Sequence, residues 1–162
     1  MSELIVVGIS DYKISQAPNT LVTYALGSCV GTSILDESTK IGGLSHIMLP
    51  DSTMVNKEPV KRMAFADTAL VDMVEAMVRK GANRNTMKAK IAGGANMFEA
   101  QGSSAFGNIG DRNAQSVKET LRALNIPIIG EDTGANYGRS VFFEPGTGIF
   151  RIKSIGKKIT EL

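Results

Sequence analysis

Short runs of apolar and β-branched residues recur along the chain, each bounded by glycine, proline or small polar residues. This pattern is typical of β-strands. The runs cover residues 5–7, 21–26, 30–35, 41–49, 88–92, 126–129, 140–143 and 149–155. We count about six or seven strands among them. Since the runs between residues 21 and 49 follow one another closely, we expect a meander of adjacent strands there.

Two stretches instead carry apolar residues at three- and four-residue spacing, which predicts amphipathic helices. The first helix has Arg79 and Lys80 in its last turn and Gly81 as its stop. Its apolar stripe is Ala66, Ala69, Leu70, Met73, Val74, Met77 and Val78. The second helix is predicted to be capped by Asp111 or Asn113. Its apolar face is Val117, Leu121 and Leu124.

Polar and glycine-rich segments separate these elements. Residues 51–61 are predicted to form an exposed loop, and residues 101–110 a second loop. Residues 145–148 (Pro-Gly-Thr-Gly) are typical of a hairpin turn. Strands dominate both ends of the chain, with two helix–strand units between them. This order indicates a single α/β domain over residues 1–162, with two main helices packed on a mixed β-sheet.

The composition is that of a globular domain. Of the 162 residues, 43% are hydrophobic and 21% charged, which separates the chain from disordered sequences. The formal net charge is only +2, so charge gives no reason to expect nucleic acid as a partner. No apolar run approaches the roughly 20 residues that span a bilayer, and no secretory signal is evident. We expect a cytoplasmic protein without membrane insertion.

Cys29 is the only cysteine, so no internal disulfide can form, which suits a reducing compartment. It lies at the exit of a predicted turn within Leu26-Gly27-Ser28-Cys29-Val30. A thiol there could project from the sheet beside backbone N–H groups that stabilise an oxyanion. Free cysteine is also among the most buried residue types, and these five residues alone favour a packing role.

His46 is the only histidine and lies in a run that otherwise has the pattern of a buried strand. Among Leu44, Ile47 and Met48, an imidazole needs a polar partner to offset its desolvation. A thiol on a neighbouring strand would supply one, and the pairing would lower the pKa of the thiol. A core histidine bonded to a backbone carbonyl is an equally weighted alternative.

Two hydroxyl residues are further candidates. In a regular strand Thr23 shares a face with Ala25, and its hydroxyl could orient the imidazole or hold a substrate amide. Threonine is also simply common in strands. Ser28 is a second candidate nucleophile. It ranks below Cys29, because the one available base is His46 and a thiol is intrinsically more nucleophilic.

Neither a metal nor a phosphate group is expected. One cysteine and one histidine fall short of a closed zinc site, and the intervening carboxylates of Asp36 and Glu37 are predicted in a turn. Residues 107–111 resemble a glycine-rich phosphate loop but lack its Lys-Ser/Thr pair, and Asp111 would repel phosphate. Gly93-Gly94 is predicted to form a tight turn. The sequence therefore calls for no cofactor.

Taken together, these segments resemble the CheD family, the chemoreceptor glutamine deamidases of bacterial and archaeal chemotaxis. The most specific pieces are residues 23–30 (Thr-Tyr-Ala-Leu-Gly-Ser-Cys-Val) and 42–50 (Gly-Gly-Leu-Ser-His-Ile-Met-Leu-Pro). The spacing of 17 positions from Cys29 to His46 also resembles that of the family. Further matching segments are residues 66–69, 90–98, 109–113 and 131–134. The resemblance thus covers nearly the whole chain.

The resemblance implies a fold, a site and a reaction. The fold is an α/β sandwich similar to the catalytic domains of toxins that deamidate glutamine in small GTPases. Cys29 would be the nucleophile, His46 the general base and acid, and Thr23 the third active-site residue. The reaction would convert glutamines of methyl-accepting chemotaxis receptors to glutamate through a Cys29 thioester, without a cofactor.

The resemblance also implies a partner, CheC, a phosphatase of the response regulator CheY. Met97-Phe98 is a candidate docking point for it, with a buried core pair as the alternative, and residues 51–63 diverge from the family. One alternative function is a non-catalytic CheC-binding module in which Cys29 is core packing. Another is a thiol redox sensor, which would need a mixed or intermolecular disulfide. Receptor methylesterase activity is a reasonable side reaction.

Overall fold

The computed structural model describes residues 2–55, 61–97 and 108–162, and this part of the chain forms ten β-strands and two α-helices. The strands are β1 (Leu4–Val6), β2 (Asp11–Ser15), β3 (Thr20–Leu26), β4 (Val30–Asp36), β5 (Gly42–Ile47), β6 (Met87–Gly93), β7 (Ile128–Thr133), β8 (Arg139–Phe143), β9 (Phe150–Lys153) and β10 (Thr160–Glu161). The helices are α1 (Ala66–Arg79) and α2 (Ile109–Ala123). Neither helix is long and apolar enough to cross a bilayer.

The strands are divided between two five-stranded sheets. The outer sheet has the order β1-β3-β8-β9-β10, and the central sheet has the order β2-β5-β4-β6-β7. Both sheets are mixed, because β1 runs parallel to β3 and β6 runs parallel to β7 while the other pairs are antiparallel. The predicted α/β class with two main helices is confirmed, and the strands form two sheets.

The central sheet is covered on both faces, which makes three layers. One face packs under the helices, where Val30, Ile34 and Ile47 join the predicted α1 stripe. The other face packs on the outer sheet, where Leu44 and Phe143 belong to a second core. Because side chains alternate along a strand, every residue of β4 and β5 is buried on one side or the other. A polar residue on β5, such as His46, is therefore enclosed in the core.

The predicted meander is wrong for its first strand. Only β4 and β5 form the expected antiparallel pair, whereas β3 lies in the outer sheet beside β1 and β8. The chain crosses from the outer to the central sheet over residues 27–29. The hydrophobic pattern shows which residues are buried but not which sheet receives a strand, so two strands that are adjacent in sequence can enter different sheets.

Three predicted boundaries also change. The cap of α2 is Asn108, whose side chain accepts a hydrogen bond from Asp111 N, so neither Asp111 nor Asn113 is the cap. The predicted loop over 101–110 ends earlier, because Ile109 and Gly110 are helical, and residues 101–107 lie outside the described residues. Within the predicted exposed loop, Ser52–Met54 is a short 3-10 turn that is tied to α1 by hydrogen bonds to Asp67.

Some elements lie where the sequence predicts them, and three strands do not. The helix α1 and the hairpin between β8 and β9 are confirmed, with Gly148 at a φ of +81° in the turn. The strand predicted over 126–129 is displaced to Ile128–Thr133, and β2 and β10 were not predicted. All three lie at sheet edges, where exposed polar residues weaken the apolar pattern.

Candidate active site

Cys29 lies where the chain passes from β3 of the outer sheet to β4 of the central sheet. Gly94 N donates to Cys29 O at 2.9 Å, which extends the β4–β6 ladder one residue beyond the start of β4. The thiol is half-buried and packs against the core between the two sheets. Cys29 therefore belongs to the face of the central sheet that meets the outer sheet.

His46 lies on the same face of the neighbouring strand. In the β4–β5 register, His46 is directly opposite Gly31, two residues after Cys29. Diagonal neighbours in an antiparallel pair are about 7–8 Å apart. The structure thus places Cys29 and His46 on one sheet face at adjacent positions, but the thiol makes no hydrogen bond to His46 Nε2, so the expected pairing of thiol and imidazole is not formed.

Gly31 allows the outer sheet to come close at this point. A Cβ atom on Gly31 would lie 2.9 Å from Leu26 Cδ1 and 3.6 Å from Thr23 Cγ2. Because glycine leaves this space empty, β3 can pack directly over the His46 position. This close approach places the Thr23 hydroxyl within hydrogen-bonding distance of the imidazole.

Thr23 Oγ1 lies 2.7 Å from Val7 O and 2.7 Å from His46 Nδ1. A carbonyl can only accept, so the hydroxyl donates its one proton to Val7 O. The hydroxyl oxygen must then accept from His46 Nδ1–H, which fixes the tautomer and leaves the lone pair on Nε2. His46 Nε2 is buried and has no hydrogen-bond partner among the described residues.

The face that Thr23 was expected to share with Ala25 does not exist. A bulge interrupts the β3–β8 register between Thr23 and Leu26, and Ala25 has a φ of +59°. Thr23 is buried while Ala25 is exposed. The bulge ends regular pairing immediately before the Cys29 crossing.

Burial shifts both titratable groups towards their neutral forms. It lowers the pKa of His46 to about 4 and raises the pKa of the Cys29 thiol. The expectation that His46 lowers the pKa of the thiol is therefore wrong for the resting protein. Both shifts favour the uncharged thiol and the uncharged imidazole near neutral pH.

Three successive carbonyl groups around Cys29 are held by hydrogen bonds. Gly27 O accepts from Ala95 N at 2.9 Å, Ser28 O from Asn113 Nδ2 at 2.9 Å, and Cys29 O from Gly94 N at 2.9 Å. By contrast, the N–H groups of Ser28 and Cys29 donate to no acceptor in the part of the chain that the structure describes. Within the described residues, these two donors are left to bind a negatively charged oxygen beside the thiol.

The pair Gly93-Gly94 does not form the predicted tight turn, because Gly93 is the last residue of β6 and Gly94 follows it in irregular chain. Gly93 has a φ of +109°, and a Cβ atom on it would lie 2.2 Å from Cys29 O. Because Gly93 has no side chain, the Cys29 backbone can pack against the end of β6. The role of Gly93 at the site is not evident from the sequence, because the close contact joins two residues that are far apart along the chain.

Asn113 was missed as a site residue. It is fully buried on α2, and its amide donates to Ser28 O and Met48 O. The signal was present in the sequence, since Asn113 lies four and eight residues before Val117 and Leu121 of the apolar stripe. A polar residue on a buried helix face needs a specific partner.

The remaining candidates lie elsewhere or are isolated. Ser28, like Cys29, makes no hydrogen bond to His46 Nε2, and it remains the intrinsically less nucleophilic of the two candidates. Asp36, predicted in a turn, ends β4 and is buried at the strand end remote from Cys29. Within residues 2–55, 61–97 and 108–162, no group of three or more His, Cys, Asp or Glu side chains is placed to hold a metal ion.

The candidate docking pair is only partly described. Met97 is exposed and lies beside the Cys29 crossing, where a Cβ atom on Gly27 would be 3.3 Å from Met97 Cγ. Phe98 lies outside the described residues.

Comparison with known proteins gives a family and close relatives. The family model described as CheD chemotactic sensory transduction matches residues 48–154. A Clostridium botulinum (strain Hall) protein named "Probable chemoreceptor glutamine deamidase CheD" is 46% identical over 156 residues, covering 96% of each chain. A Moorella thermoacetica protein of the same name is 45% identical over 154 residues, covering 94% of this chain and 92% of its own.

Solved structures of distant proteins share the fold. The Neisseria meningitidis protein NMB0706, of the family DUF152, superposes with a TM-score of 0.51 at 10% identity and covers 82% of this chain. The Bacillus licheniformis protein YfiH gives a TM-score of 0.51 at 13% identity and covers 77% of this chain. This chain spans 64% and 51% of those two chains, respectively. At such low identity the likeness concerns the fold alone.

Proposed function

Because the chain belongs to the CheD family, we propose that it is a protein-glutamine deamidase that converts glutamine side chains of chemotaxis receptors to glutamate and ammonia. The observation that carries the proposal is the hydrogen bond between Thr23 and His46. It leaves the Nε2 lone pair of a buried imidazole free on the sheet face that also carries Cys29. A nucleophile, a base and a group that orients the base are the parts that acyl transfer requires.

The first step forms the carbon–sulfur bond. His46 Nε2 takes the proton of the Cys29 thiol as the sulfur attacks the side-chain amide carbon of the glutamine. The amide carbonyl becomes an oxyanion, which the N–H groups of Ser28 and Cys29 bind. Because the resting pair is neutral, charge develops only when substrate is present, and the imidazolium and the oxyanion form together.

The second step expels ammonia. An amide ion is a very poor leaving group, so His46 Nε2 returns its proton to the nitrogen as the carbon–nitrogen bond breaks. The products of this step are ammonia and a thioester between Cys29 and the receptor side chain. Thr23 holds the ring throughout, since its oxygen accepts from Nδ1–H in both charge states of the imidazole.

The third step releases glutamate. His46 Nε2 takes a proton from a water molecule whose oxygen attacks the thioester carbon. The tetrahedral intermediate collapses with the Cys29 sulfur as leaving group, and the sulfur recovers the proton from His46. The new side-chain carboxylic acid ionises, and the enzyme returns to its neutral resting state.

The experiment that tests the proposal is deamidation of a purified receptor cytoplasmic fragment. Ammonia release is followed over time, and peptide mass spectrometry locates each glutamine that becomes glutamate. Cys29→Ala is expected to abolish both signals, whereas Ser28→Ala retains them, because Cys29 rather than Ser28 is the nucleophile. Conversion that persists in Cys29→Ala, or a wild-type protein that converts no receptor glutamine, would overturn the proposal.

A non-catalytic module that binds CheC is the second candidate function. The raised pKa of Cys29 favours it, because a neutral, half-buried thiol also suits a packing residue. Binding of CheC should survive Cys29→Ala in either case. Loss of ammonia release in that variant, with CheC affinity retained, would assign both properties to one protein.

The same thioester cycle could act on receptor methyl esters, with methanol leaving in place of ammonia, so we propose methylesterase activity only as a side reaction. The raised thiol pKa counts against a redox sensor, because oxidation proceeds through the thiolate. We place the reaction in the cytoplasm, where receptor signalling domains are accessible to it.

A further inference from the structure

The buried amide of Asn113 joins the two strand ends that carry the site. Its Nδ2 donates to Ser28 O at 2.9 Å and to Met48 O at 3.0 Å. Ser28 immediately precedes Cys29, and Met48 is two residues after His46. One side chain of α2 therefore holds the backbone of the nucleophile loop and the backbone that follows the base.

The orientation of this amide is fixed by its partners. Both partners are carbonyl oxygens, which only accept, so the two hydrogens of Nδ2 must face them. A flipped amide would place Oδ1 against two other oxygens. In the observed orientation Oδ1 is buried and has no partner among the described residues, so the side chain lacks one hydrogen bond in order to make these two.

The bond to Ser28 O determines the direction of the Cys29 N–H. The Ser28–Cys29 peptide is trans, and in a planar trans peptide the C=O and the N–H point in opposite directions. Asn113 pulls the carbonyl towards α2, so the N–H of Cys29 points away from α2. That N–H is one of the two donors that have no acceptor in the described part of the chain.

The packing of α2 makes this reach possible. Gly110 lies one helical turn before Asn113, and a Cβ atom on Gly110 would be 2.1 Å from Ala95 O. Only a glycine lets α2 approach so closely, and the short asparagine side chain then reaches both carbonyl groups. The two hydrogen bonds from Asn113 to Ser28 O and Met48 O, here called the clamp, thus depend on two positions of the same helix, Gly110 and Asn113.

We infer that Asn113 is a positioning residue for the proposed deamidation, which holds the Ser28–Cys29 peptide so that the Cys29 N–H faces the oxyanion. This inference rests on the proposed function. It assigns Asn113 no contact with substrate, so its loss should slow the chemical step and leave substrate binding intact.

The test compares Asn113→Ala with Ser116→Ala, a matched control on the same helix. Ser116 Oγ donates to Pro50 O at 2.6 Å, so Ser116→Ala removes one hydrogen bond from α2 to a backbone carbonyl, whereas Asn113→Ala removes two, one of which reaches the nucleophile loop. With both variants folded by circular dichroism, we expect kcat on the receptor fragment to fall at least ~10-fold in Asn113→Ala, with KM unchanged. We expect Ser116→Ala to keep kcat within about twofold of the wild type. An equal loss in the two variants, or a change in KM alone, would overturn the inference.

A second variant separates the loss of the N–H donors from the loss of side-chain volume. Asn113→Asp keeps the shape of the side chain but offers the two carbonyls no N–H donor, so the same loss of kcat is expected. Wild-type kcat in this variant would overturn the inference.

The outcome can be separated from that of the proposed function. If the wild-type protein converts no glutamine, the proposed function fails and the clamp is judged by the amide NMR signal of Cys29. That signal should move in Asn113→Ala and keep its position in Ser116→Ala. A signal that moves equally in both, or in neither, would show that Asn113 does not hold this peptide.

Discussion

Thr23 accepts a hydrogen bond from His46 across the gap between the two sheets, at 2.7 Å from Oγ1 to Nδ1. The donor side of the same hydroxyl is occupied by Val7 O, so Thr23 can stabilise only the tautomer with its proton on Nδ1. A strand of one sheet thereby sets the tautomer of a histidine in the other. This relationship makes the lone pair of Nε2 available for chemistry.

Removing the Thr23 hydroxyl should impair catalysis more than it impairs folding. In Thr23→Val, the buried Nδ1–H of His46 loses its acceptor, which costs about 1–3 kcal/mol of unfolding free energy. The ring is also released from its tautomer, and we expect deamidation to fall at least ~100-fold. Urea denaturation and ammonia release measure the two effects.

The control for this variant is Thr32→Val. Thr32 is a buried threonine of β4 whose hydroxyl has no hydrogen-bond partner among the described residues. Its replacement should leave both stability and activity close to wild type. Thr23→Ser, which keeps the hydroxyl, should retain most of the activity. If Thr23→Val were as active as Thr32→Val, Thr23 would have no orienting role.

Acidification should destabilise the protein through His46. The imidazole is 1% exposed, and burial lowers its pKa to about 4, below the unfolded value near 6.5. Between these values the unfolded chain binds more protons, so stability is present above about pH 6.5 and is lost as the pH falls towards 4. From pH 7 to pH 5 the loss is about 2 kcal/mol.

Urea denaturation at several pH values measures this slope, which is the change in the free energy of unfolding with pH. His46→Gln removes the only histidine, so the slope in this pH range should largely disappear. A wild-type slope that persists in His46→Gln would assign the acid sensitivity to other groups.

The sequence indicated which candidate residues share one sheet face better than it indicated their surroundings. A lone histidine in an apolar strand needs a polar partner; in the structure that partner is Thr23, and Cys29 lies on the same sheet face without a hydrogen bond to the imidazole. The thiol pKa was predicted in the wrong direction, because burial of the loop could not be read from local pattern. Asn113 and Gly93 were assigned only local roles, since their function depends on contacts with a distant loop.

Asp36 should matter for stability and not for the reaction. Burial alone would raise its pKa, but hydrogen bonds from Thr39, Thr86, Asn83 and Ser38 outweigh that effect and hold the pKa well below its usual range. Asp36→Asn replaces a carboxylate, which only accepts hydrogen bonds, with an amide. This substitution should lower the free energy of unfolding by about 3 kcal/mol. Deamidation per folded molecule should be unchanged, because Asp36 ends β4 far from Cys29.

Asp72→Asn is the comparison for this variant. Asp72 pairs with Arg62 at the surface at 2.8 Å, and loss of such a pair costs less than about 1 kcal/mol. Thermal denaturation above pH 5 separates the two variants, since the Asp36 contribution is lost only as the pH falls below the unfolded carboxyl pKa of about 4. Equal stability of the two variants would mean that the Asp36 network contributes no more than a surface pair.

Gly110→Ala should lower the stability of the protein, whereas a glycine-to-alanine substitution in a helix usually raises it. Alanine inside a helix normally stabilises by about 1 kcal/mol relative to glycine. Here the added Cβ would lie 2.1 Å from Ala95 O and 2.7 Å from Gly94 O, and both contacts are with backbone that cannot rotate away. The helix must move outwards, which withdraws the Asn113 amide from Ser28 O. We therefore expect Gly110→Ala to lower both the melting temperature and kcat, and a variant that gained stability with full activity would show that α2 does not need this close approach.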